Sequence, residues 1–447
     1  MMVASLVVWV LSALLVLALL TQGWWSALLD RRGVRVSELP WRWWLTGYPS
    51  TALHIRSTWR QVADRTGLTV STRPDHRIIG RDLVVQGRSL RQRAPRLAWP
   101  VPTRTGLRLR VVLHPGQTPG PYLAAARAME HAWRVHAVRV TTPRRGVVVI
   151  RVTAVDPLTG KAPVRGLTPA AGVLVAHVGR TEEGEPWVID LRRVPHWLIT
   201  GATRSGKSTL LGALVRALTP QPVTLLGVDL KGGVELGVFG GRFSALATTR
   251  AQTIGLLGGV LDEIQRRTGL CRTARCRSVW ELPEEDRPGP VVVLVDELAE
   301  LYLTDGSREA RDEAERCGSL LLRVAQLGAA LGVHLIVAGQ RVGSDLGPRV
   351  TALRSQLGGR VAHRAHDEAS AQMTVGDLHA DAVAVIQSIG EDERGVAVVT
   401  TGGGWMRARS APLTPEEIDG IATVTPPPHA LRLKSDQAQS PKEGEKE

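Results

Sequence analysis

Residues 201–209 read GATRSGKST, and this stretch decides the fold. It matches the pattern G-x-x-x-x-G-K-[ST] in full, and it follows residues 198–200, a short apolar segment that predicts a buried strand. In this pattern the glycines let backbone amides point at the β-phosphate of a nucleotide, Lys207 neutralises the β and γ oxygens, and Ser208 ligates Mg²⁺ at the start of a helix. A chance glycine turn before a helix is the alternative, and the order strand, loop, helix favours the nucleotide site.

The loop predicts a bound nucleotide, and the cofactors expected with it are ATP and Mg²⁺. Lys207 is the predicted catalytic cation, and Ser208 is a predicted metal ligand. The predicted contacts of the nucleotide in this loop are Gly201, Ala202, Thr203, Arg204, Ser205, Gly206, Lys207, Ser208 and Thr209.

A second stretch, residues 291–301, reads VVVLVDELAEL and predicts the catalytic carboxylates. An uninterrupted apolar run that ends in two acids is typical of a central parallel strand that carries them to its carboxyl end. Asp296 is the predicted metal ligand, acting through water, and Glu297 is the predicted catalytic residue that polarises the attacking water. The alternative is that one of the acids only caps the following helix.

A third apolar stretch, residues 333–338, leads toward Gln340. A polar side chain at such a strand end faces the same phosphates, so Gln340 is a candidate catalytic sensor of the γ-phosphate, with a local loop cap as the equally weighted alternative. From residue 166 onward the alternation of helices and strands predicts a doubly wound α/β domain.

The first 20 residues predict a transmembrane helix, since only Ser5 and Ser12 interrupt their apolar run and a helix of this length spans about 30 Å. Tryptophans and arginines follow this run, which predicts a single-pass protein of the cell membrane with its motor in the cytoplasm. A cleaved signal peptide is the alternative. Residues 41–55 are apolar and aromatic but short, which indicates an interfacial or re-entrant segment, with a second membrane span as the alternative.

The positive charge is concentrated in one segment. The 447 residues include 56 basic and 42 acidic side chains, a net charge of +14, and residues 31–110 hold 17 arginines and no lysine against four acids. This segment has two open interpretations, a surface attracted to anionic lipid and a phosphate-binding collar at the entrance of a nucleic-acid channel. At 43% hydrophobic residues the composition excludes a wholly disordered chain, and the three cysteines include no C-x-x-C pair that would indicate a zinc site.

The segment before the motor predicts a small α/β module, with strands at 107–113 and 147–152 and a helix at 121–134. Residues 437–447 are polar and charged and are predicted to be disordered. The predicted domains are a transmembrane anchor at 1–22, an Arg-rich juxtamembrane region at 23–106, the small α/β module at 107–165, the motor at 166–410 and a partly disordered tail at 411–447.

The motifs resemble, in order and in spacing, those of the FtsK/SpoIIIE-type DNA translocases. They are Pro195 with His196, the GATRSGKST loop, DLKGGVEL at 229–236, VVVLVDELAEL at 291–301, and Gln340 with Arg341. The resemblance covers about residues 170–400 and is specific, because generic P-loop proteins lack the aspartate-x-lysine-x-x-x-glutamate element. It implies a RecA-like fold, a homo-oligomeric and hexameric ring around double-stranded DNA, and ATP-driven translocation.

The resemblance also implies roles for residues outside the three stretches. Asp229 and Lys231 are implied contacts of the nucleotide, and Arg360 best matches the arginine that one subunit of a ring supplies to its neighbour's γ-phosphate. Arg354 and Arg364 are the fallbacks for that arginine, and an ordinary surface ion pair is the alternative role of Arg360.

Three functions follow as hypotheses. The first is a membrane-anchored, ATP-driven translocase of double-stranded DNA for conjugative transfer between cells, since the short anchor and the Arg-rich composition are similar to those of actinomycete plasmid and integrative-element transfer proteins. The second is a protein-export ATPase of the type VII secretion kind. The third is a membrane scaffold with a degraded nucleotide site, because the family usually carries glycine where this chain has Arg204.

Overall fold

The computed structural model describes most of the chain between residues 47 and 427. The described residues are 9–10, 12–14, 17, 43, 47–72, 91–103, 105–154, 156–158, 172–340, 342–343, 346–376, 378–401 and 403–427. They fall into two compact units, one made of residues up to 157 together with 182–184, and the other of 158–181 together with the residues from 185 onward.

In its described residues, the N-terminal unit combines an antiparallel sheet with helices that follow residue 47. Its strands are β1 Val70–Thr72, β2 Arg91–Arg93, β3 Arg96–Leu97, β4 Val101–Pro102, β5 Gly106–Val112, β6 Ala137–Arg144 and β7 Val147–Thr153, and its helices are α1 Tyr48–Arg65, α2 Gly120–Ala124 and α3 Ala126–Trp133. The sheet has the order β3-β5-β7-β6 with β4 paired to β5, while β1 and β2 form a separate ribbon. Along β5, Leu107, Leu109 and Val111 are buried and the arginines between them are exposed, as the alternation predicts.

Helix α1 belongs to the core of this unit. Ile55, Trp59 and Val62 recur at helical spacing and pack in one cluster with Leu107 and Leu109. The interpretation of residues 41–55 as an interfacial or re-entrant segment is therefore wrong for residues 48–55, because a protein core covers their apolar face. The same contacts place α1 in the small α/β module, upstream of the boundary expected at residue 107.

Replacing Trp59 by alanine tests this position of α1. The side chain is 5% exposed and its Nε1 donates a hydrogen bond to Pro95 O at 2.8 Å. Its loss is expected to lower the free energy of unfolding by about 3–5 kcal/mol, because it leaves a cavity in the core. Denaturant unfolding measures the change, with the exposed Arg60→Ala on the same helix as control. Equal and small effects of the two substitutions would contradict the burial of α1.

The predicted membrane anchor and the predicted disordered tail concern residues that the structure mostly does not describe. Among the residues that the structure describes, no helix is both long enough and apolar enough to cross a bilayer. The predicted anchor at 1–22 lies mostly outside those residues, as do residues 73–90 of the Arg-rich segment and the tail at 437–447. The anchor and the disordered tail therefore stay predictions.

The C-terminal unit is built on a ten-stranded sheet. Its strands are β8 Val175–Thr181, β9 Pro186–Asp190, β10 His196–Thr200, β11 Thr224–Val228, β12 Ala245–Ala247, β13 Val291–Val295, β14 Val333–Gly339, β15 Gly359–His363, β16 Val396–Thr400 and β17 Trp405–Ser410. Its α-helices are α4 Lys207–Leu218, α5 Arg250–Ala274, α6 Leu298–Tyr302, α7 Arg308–Leu327, α8 Pro348–Gln356, α9 Glu368–Ala371, α10 Ala380–Gln387 and α11 Pro415–Ala422.

The strand order of this sheet is β12-β11-β13-β14-β10-β15-β16-β17-β8-β9. The strands from β12 to β15 run parallel, and the pairs from β15 to β9 are antiparallel. Helix α4 packs in a cluster on one face of the sheet, and α5 and α7 pack in a second cluster on the other. This covering explains why β10, β11, β13 and β14 are buried throughout and read as continuous apolar runs. The α/β fold predicted for the motor is confirmed.

The parallel strands bring the three predicted motifs to one edge of the sheet. Strand β14 lies between β10 and β13, with Thr200 paired to Gly339 and Val295 paired to Val337. The GATRSGKST loop, the two acids and Gln340 each follow one of these strand ends. They therefore leave the sheet on the same side, where a ligand of an open α/β sheet binds.

Candidate nucleotide-binding and catalytic site

The loop between β10 and α4 turns through two residues with positive φ, Arg204 at +62° and Gly206 at +114°. A Cβ atom on residue 206 would lie 2.4 Å from the backbone of Gly395, whose amide donates a hydrogen bond to Ser205 O at 2.9 Å. Both the turn and this close approach therefore require glycine at 206. Arg204 adopts the left-handed conformation at a cost of about 1 kcal/mol, which explains why glycine suits this position.

Two lysines bind one carboxylate at the edge of the sheet. Lys207 Nζ donates to Glu297 Oε2 at 2.9 Å and to Asp296 O at 3.0 Å, and Lys231 Nζ donates to Glu297 Oε2 at 3.2 Å. The backbone N–H of Gln340 donates to the other oxygen, Glu297 Oε1, at 2.9 Å. Burial alone would raise the pKa of Glu297, but the lysines and this amide hold the pKa below its ordinary value. The carboxylate of Glu297 is thus ionised at neutral pH and held in one orientation by its hydrogen bonds.

Asp296 lies beside Glu297, but its pKa is raised where that of Glu297 is lowered. Its side chain is 1% exposed, and neither carboxylate oxygen accepts a hydrogen bond from the described part of the chain. The pKa of Asp296 is raised to about 6, chiefly by burial. The charges of Lys207 and Lys231 oppose this rise, and those of Glu235 and Asp229 add to it. A buried carboxylate without donors fits a cation.

Mg²⁺ is the cation that suits this position. Among the described residues, no group of three or more His, Cys, Asp or Glu side chains could enclose a metal ion. Mg²⁺ needs no such cage, because it usually keeps several waters and takes one or two protein ligands together with phosphate oxygens. Asp296 fits such a hydrated ion, and Ser208 at the first turn of α4 is the second candidate ligand.

Asp296→Asn is expected to stabilise the nucleotide-free protein while it lowers ATP hydrolysis. The pKa of Asp296 rises on folding from 3.8 to about 6, so its contribution to stability is fully present below pH 3.8 and is lost as the pH rises through about 6. The loss amounts to about 2–3 kcal/mol. Unfolding free energies of both proteins between pH 4 and pH 7.5 measure it as a difference that grows with pH. A difference independent of pH would contradict the buried, unpartnered carboxylate.

Gln340 lies where the sequence predicts the sensor of the γ-phosphate. Its Oε1 accepts a hydrogen bond from Thr203 Oγ1 in the loop at 3.5 Å, while its own backbone amide binds Glu297. The residue therefore contacts both the phosphate loop and the carboxylate of Glu297.

Asp229 has a different role from the implied contact with the nucleotide. It is fully buried, Oδ1 accepts the N–H of Lys231 at 3.2 Å, and Oδ2 accepts the N–H groups of Glu235 and Leu236 at 2.8 and 2.9 Å. These bonds occupy both oxygens, so Asp229 shapes the loop at 229–236. Through this loop it positions Lys231, whose side chain reaches Glu297.

A cavity of about 470 Å³ opens beside the start of α4. Ser208 and Thr209 line the end next to the phosphate loop, and Leu211, Phe239 and Leu413 supply apolar walls. Its volume and mixed lining suit a nucleoside.

Comparisons with known proteins identify the family of this chain. The profile of the FtsK/SpoIIIE family matches residues 169–344, and that of the actinomycete conjugal transfer protein N-terminal domain matches residues 33–154. Transfer protein TraSA of Streptomyces ambofaciens is 41% identical over 342 residues, which are 74% of this chain and 81% of that protein. The chain belongs to the FtsK/SpoIIIE family.

Further relatives share the motor region of this FtsK/SpoIIIE protein. DNA translocase FtsK of Helicobacter pylori is 33% identical over 205 residues, which are 43% of this chain and 23% of that protein. The solved structure of the pCW3 conjugation coupling protein TcpA, a monomer form with ATPγS, has a TM-score of 0.53 at 19% identity and covers 74% of this chain and 93% of that one. This last likeness is one of fold. The family assignment makes the chain a member of the P-loop ATPases and confirms the resemblance seen in its motifs.

Arg360 of this FtsK/SpoIIIE protein is not placed to serve a neighbouring subunit. It lies on β15 with 6% exposure, and its guanidinium donates to the carbonyl oxygens of Leu357, Thr374 and Arg354 at 2.7, 3.0 and 2.7 Å. The predicted role of Arg360 at a neighbour's γ-phosphate is corrected, because a buried guanidinium bound to three carbonyls of its own chain does not reach outward. The alternative of an ordinary surface ion pair does not fit the burial of Arg360 either.

The family motifs do not include the residues whose backbone hydrogen bonds hold the phosphate loop in place. The Ala202 N–H donates to Arg364 O at 2.8 Å, at the end of β15, and the Gly395 N–H holds Ser205 just before β16. Arg364, a fallback for the trans-acting arginine, also pairs with Glu391 of its own chain at 3.2 Å. Sequence reasoning missed these contacts because they are made by backbone atoms of segments distant in sequence.

Proposed function

We propose that this protein is a membrane-anchored, ATP-driven translocase of double-stranded DNA that serves conjugative transfer between cells. The proposal of ATP hydrolysis rests on one observation. The buried, ionised carboxylate of Glu297 lies with its Oε2 atom 2.9 Å from Nζ of Lys207 in the phosphate loop. Two kinds of relative support the cargo and the process, a transfer protein from an actinomycete and proteins named DNA translocases.

The phosphates and the attacking water meet different groups of this site. Lys207 and the loop amides bind the β- and γ-phosphates, which requires the Lys207 ammonium to move from Glu297 to phosphate oxygens. Lys231 and the Gln340 amide stay on Glu297 and keep it ionised and aligned after that move. Glu297 then orients the attacking water and accepts its proton.

Mg²⁺, when bound, neutralises charge on the phosphates. Asp296 and Ser208 are the residues that would hold it, Asp296 through water. The unpartnered carboxylate of Asp296 is the reason for this assignment.

The proposed assembly is a hexameric ring around DNA, with residues 1–22 as the membrane anchor and the motor in the cytoplasm. The net charge of +14 supports a polyanionic cargo, since arginines neutralise phosphates and release their counterions. The Arg-rich residues between 31 and 110 are the largest source of this charge.

Duplex DNA is expected to stimulate ATP hydrolysis, and salt is expected to weaken this stimulation. Binding that rests on phosphate neutralisation falls with a log–log slope of about −0.9 per phosphate contacted and barely depends on sequence. The measurement compares two unrelated duplexes of equal length at about 50 to 200 mM salt, with a protein that starts at Gly23. Hydrolysis that no duplex stimulates would favour the protein-export ATPase, and a protein without any hydrolysis would favour the scaffold.

A further inference from the structure

Arg394 lies where the phosphate loop meets the cavity beside α4. Its neighbour Gly395 donates a backbone hydrogen bond to Ser205 of the loop, and its own carbonyl carbon would lie 3.6 Å from a Cβ atom on Gly206. Arg394 lines the cavity together with Ser208, and the residue is exposed. An arginine of the cavity lining therefore stands on a backbone segment that contacts the phosphate loop itself.

A second arginine of the cavity, Arg409, donates hydrogen bonds to backbone carbonyls of the protein. Its Nε donates to Arg394 O at 3.1 Å and its Nη1 donates to Leu158 O at 2.7 Å. The guanidinium of Arg394, by contrast, makes no hydrogen bond or ion pair within the described part of the chain. Of the two cations, Arg394 is thus the one whose donors are open to a ligand.

The order of groups in a nucleotide identifies the atoms that Arg394 would meet. In the proposed function the loop amides and Lys207 bind the β- and γ-phosphates, and the apolar walls of the cavity receive the nucleoside. The α-phosphate joins these two parts, so it lies at the mouth of the cavity near Ser208 and Thr209. A guanidinium at that place matches a phosphate in charge and in donor geometry.

We propose that Arg394 binds the α-phosphate of the nucleotide held by its own subunit. With this contact the site recognises the 5′-phosphate next to the nucleoside as well as the β- and γ-phosphates. This inference rests on the proposed binding of ATP at the loop. The α-phosphate carries nearly the same charge before, during and after cleavage of the γ-phosphate bond. Arg394 therefore contributes equally to ground-state and transition-state binding, which affects KM and leaves kcat unchanged.

Equilibrium binding of ATP, ADP and adenosine to the full-length protein and to Arg394→Ala tests the proposal. The substitution is expected to weaken ATP and ADP by the same factor of about ten, the size of one charge-assisted contact, and to leave adenosine unchanged. Arg394→Lys should recover part of the loss, because it keeps the charge. Arg323→Ala, which removes an exposed arginine on α7 that lines a different cavity, is the matched control and should change nothing.

Steady-state hydrolysis gives the second readout, in which Arg394→Ala should raise KM by the same factor and leave kcat within about twofold. Unchanged affinity for both nucleotides, or a loss confined to ATP, would overturn the contact with the α-phosphate while the proposed ATPase function stands. A fall in kcat at constant KM would assign Arg394 to the γ-phosphate and would also overturn it. An unsubstituted protein that binds neither ATP nor ADP would overturn the proposed function, and this inference with it.

Discussion

Lys207→Ala is expected to abolish ATP binding and to lower hydrolysis by about a thousandfold or more. The Lys207 ammonium is the charge that the phosphate loop offers to the β and γ oxygens, and in the structure its Nζ lies 2.9 Å from Glu297 Oε2. Its removal takes away this charge while Lys231 continues to pair with Glu297. The fold is therefore expected to persist, with only a modest fall in unfolding free energy.

Fluorescent-nucleotide binding and phosphate release measure the effect of Lys207→Ala, and circular dichroism checks the fold. Arg216→Ala is the matched control, because it removes a cation from the same helix α4, where Arg216 pairs with the exposed Glu417 at 3.5 Å. Near-normal hydrolysis by the Lys207 variant would contradict the assignment of residues 201–209 as the nucleotide loop.

Glu297→Gln is expected to separate binding from hydrolysis. The amide keeps an oxygen for the Gln340 N–H but cannot accept a proton from water, so hydrolysis should fall by about a hundredfold to ten-thousandfold. ATP binding should tighten, because Glu297 no longer competes with the phosphates for the Lys207 ammonium. The variant would then retain ATP and stabilise the proposed ring.

Single-turnover hydrolysis and the Kd of ATP measure the two effects of Glu297→Gln separately. Glu300→Gln is the control, since it neutralises a carboxylate one turn further along α6 for which the described part of the chain shows no hydrogen bond to Lys207 or Lys231. Wild-type turnover by Glu297→Gln would place the base elsewhere. Weakened ATP binding would contradict the competition for Lys207.

The strand-end motifs were predictable because each is contiguous in sequence and follows a fully buried run. Lys207, Asp296 and Gln340 stand within a few residues of such runs, and parallel pairing at one sheet edge brings them together. The contact between Lys231 and Glu297 was not predictable in the same way. It depends on the turn that Asp229 imposes through three backbone amides, which no residue pattern specifies in detail.

Arg360 and α1 show where sequence reasoning failed for physical reasons. The position of Arg360 on a strand next to the phosphate loop was predictable, but the direction of a long side chain is decided by the acceptors around it, here three carbonyl oxygens. The apolar and aromatic character of α1 indicated burial without naming the partner, because a lipid surface and a protein sheet satisfy the same side chains. Only the contacts of Ile55 and Trp59 with the strands distinguish the two.

The phosphate loop is joined to Arg364 and Gly395 by backbone hydrogen bonds, one donated by Ala202 of the loop and one accepted by Ser205 of the loop, and these bonds affect how the loop can move. Ala202 and Ser205 are fastened, backbone to backbone, to the end of β15 and to the residue before β16. Any travel of the loop when phosphate leaves must carry these strand ends with it or break one of two bonds. In a motor, a connection of this kind transmits movement. Its stiffness determines how much of a displacement of the phosphate loop reaches the antiparallel half of the sheet.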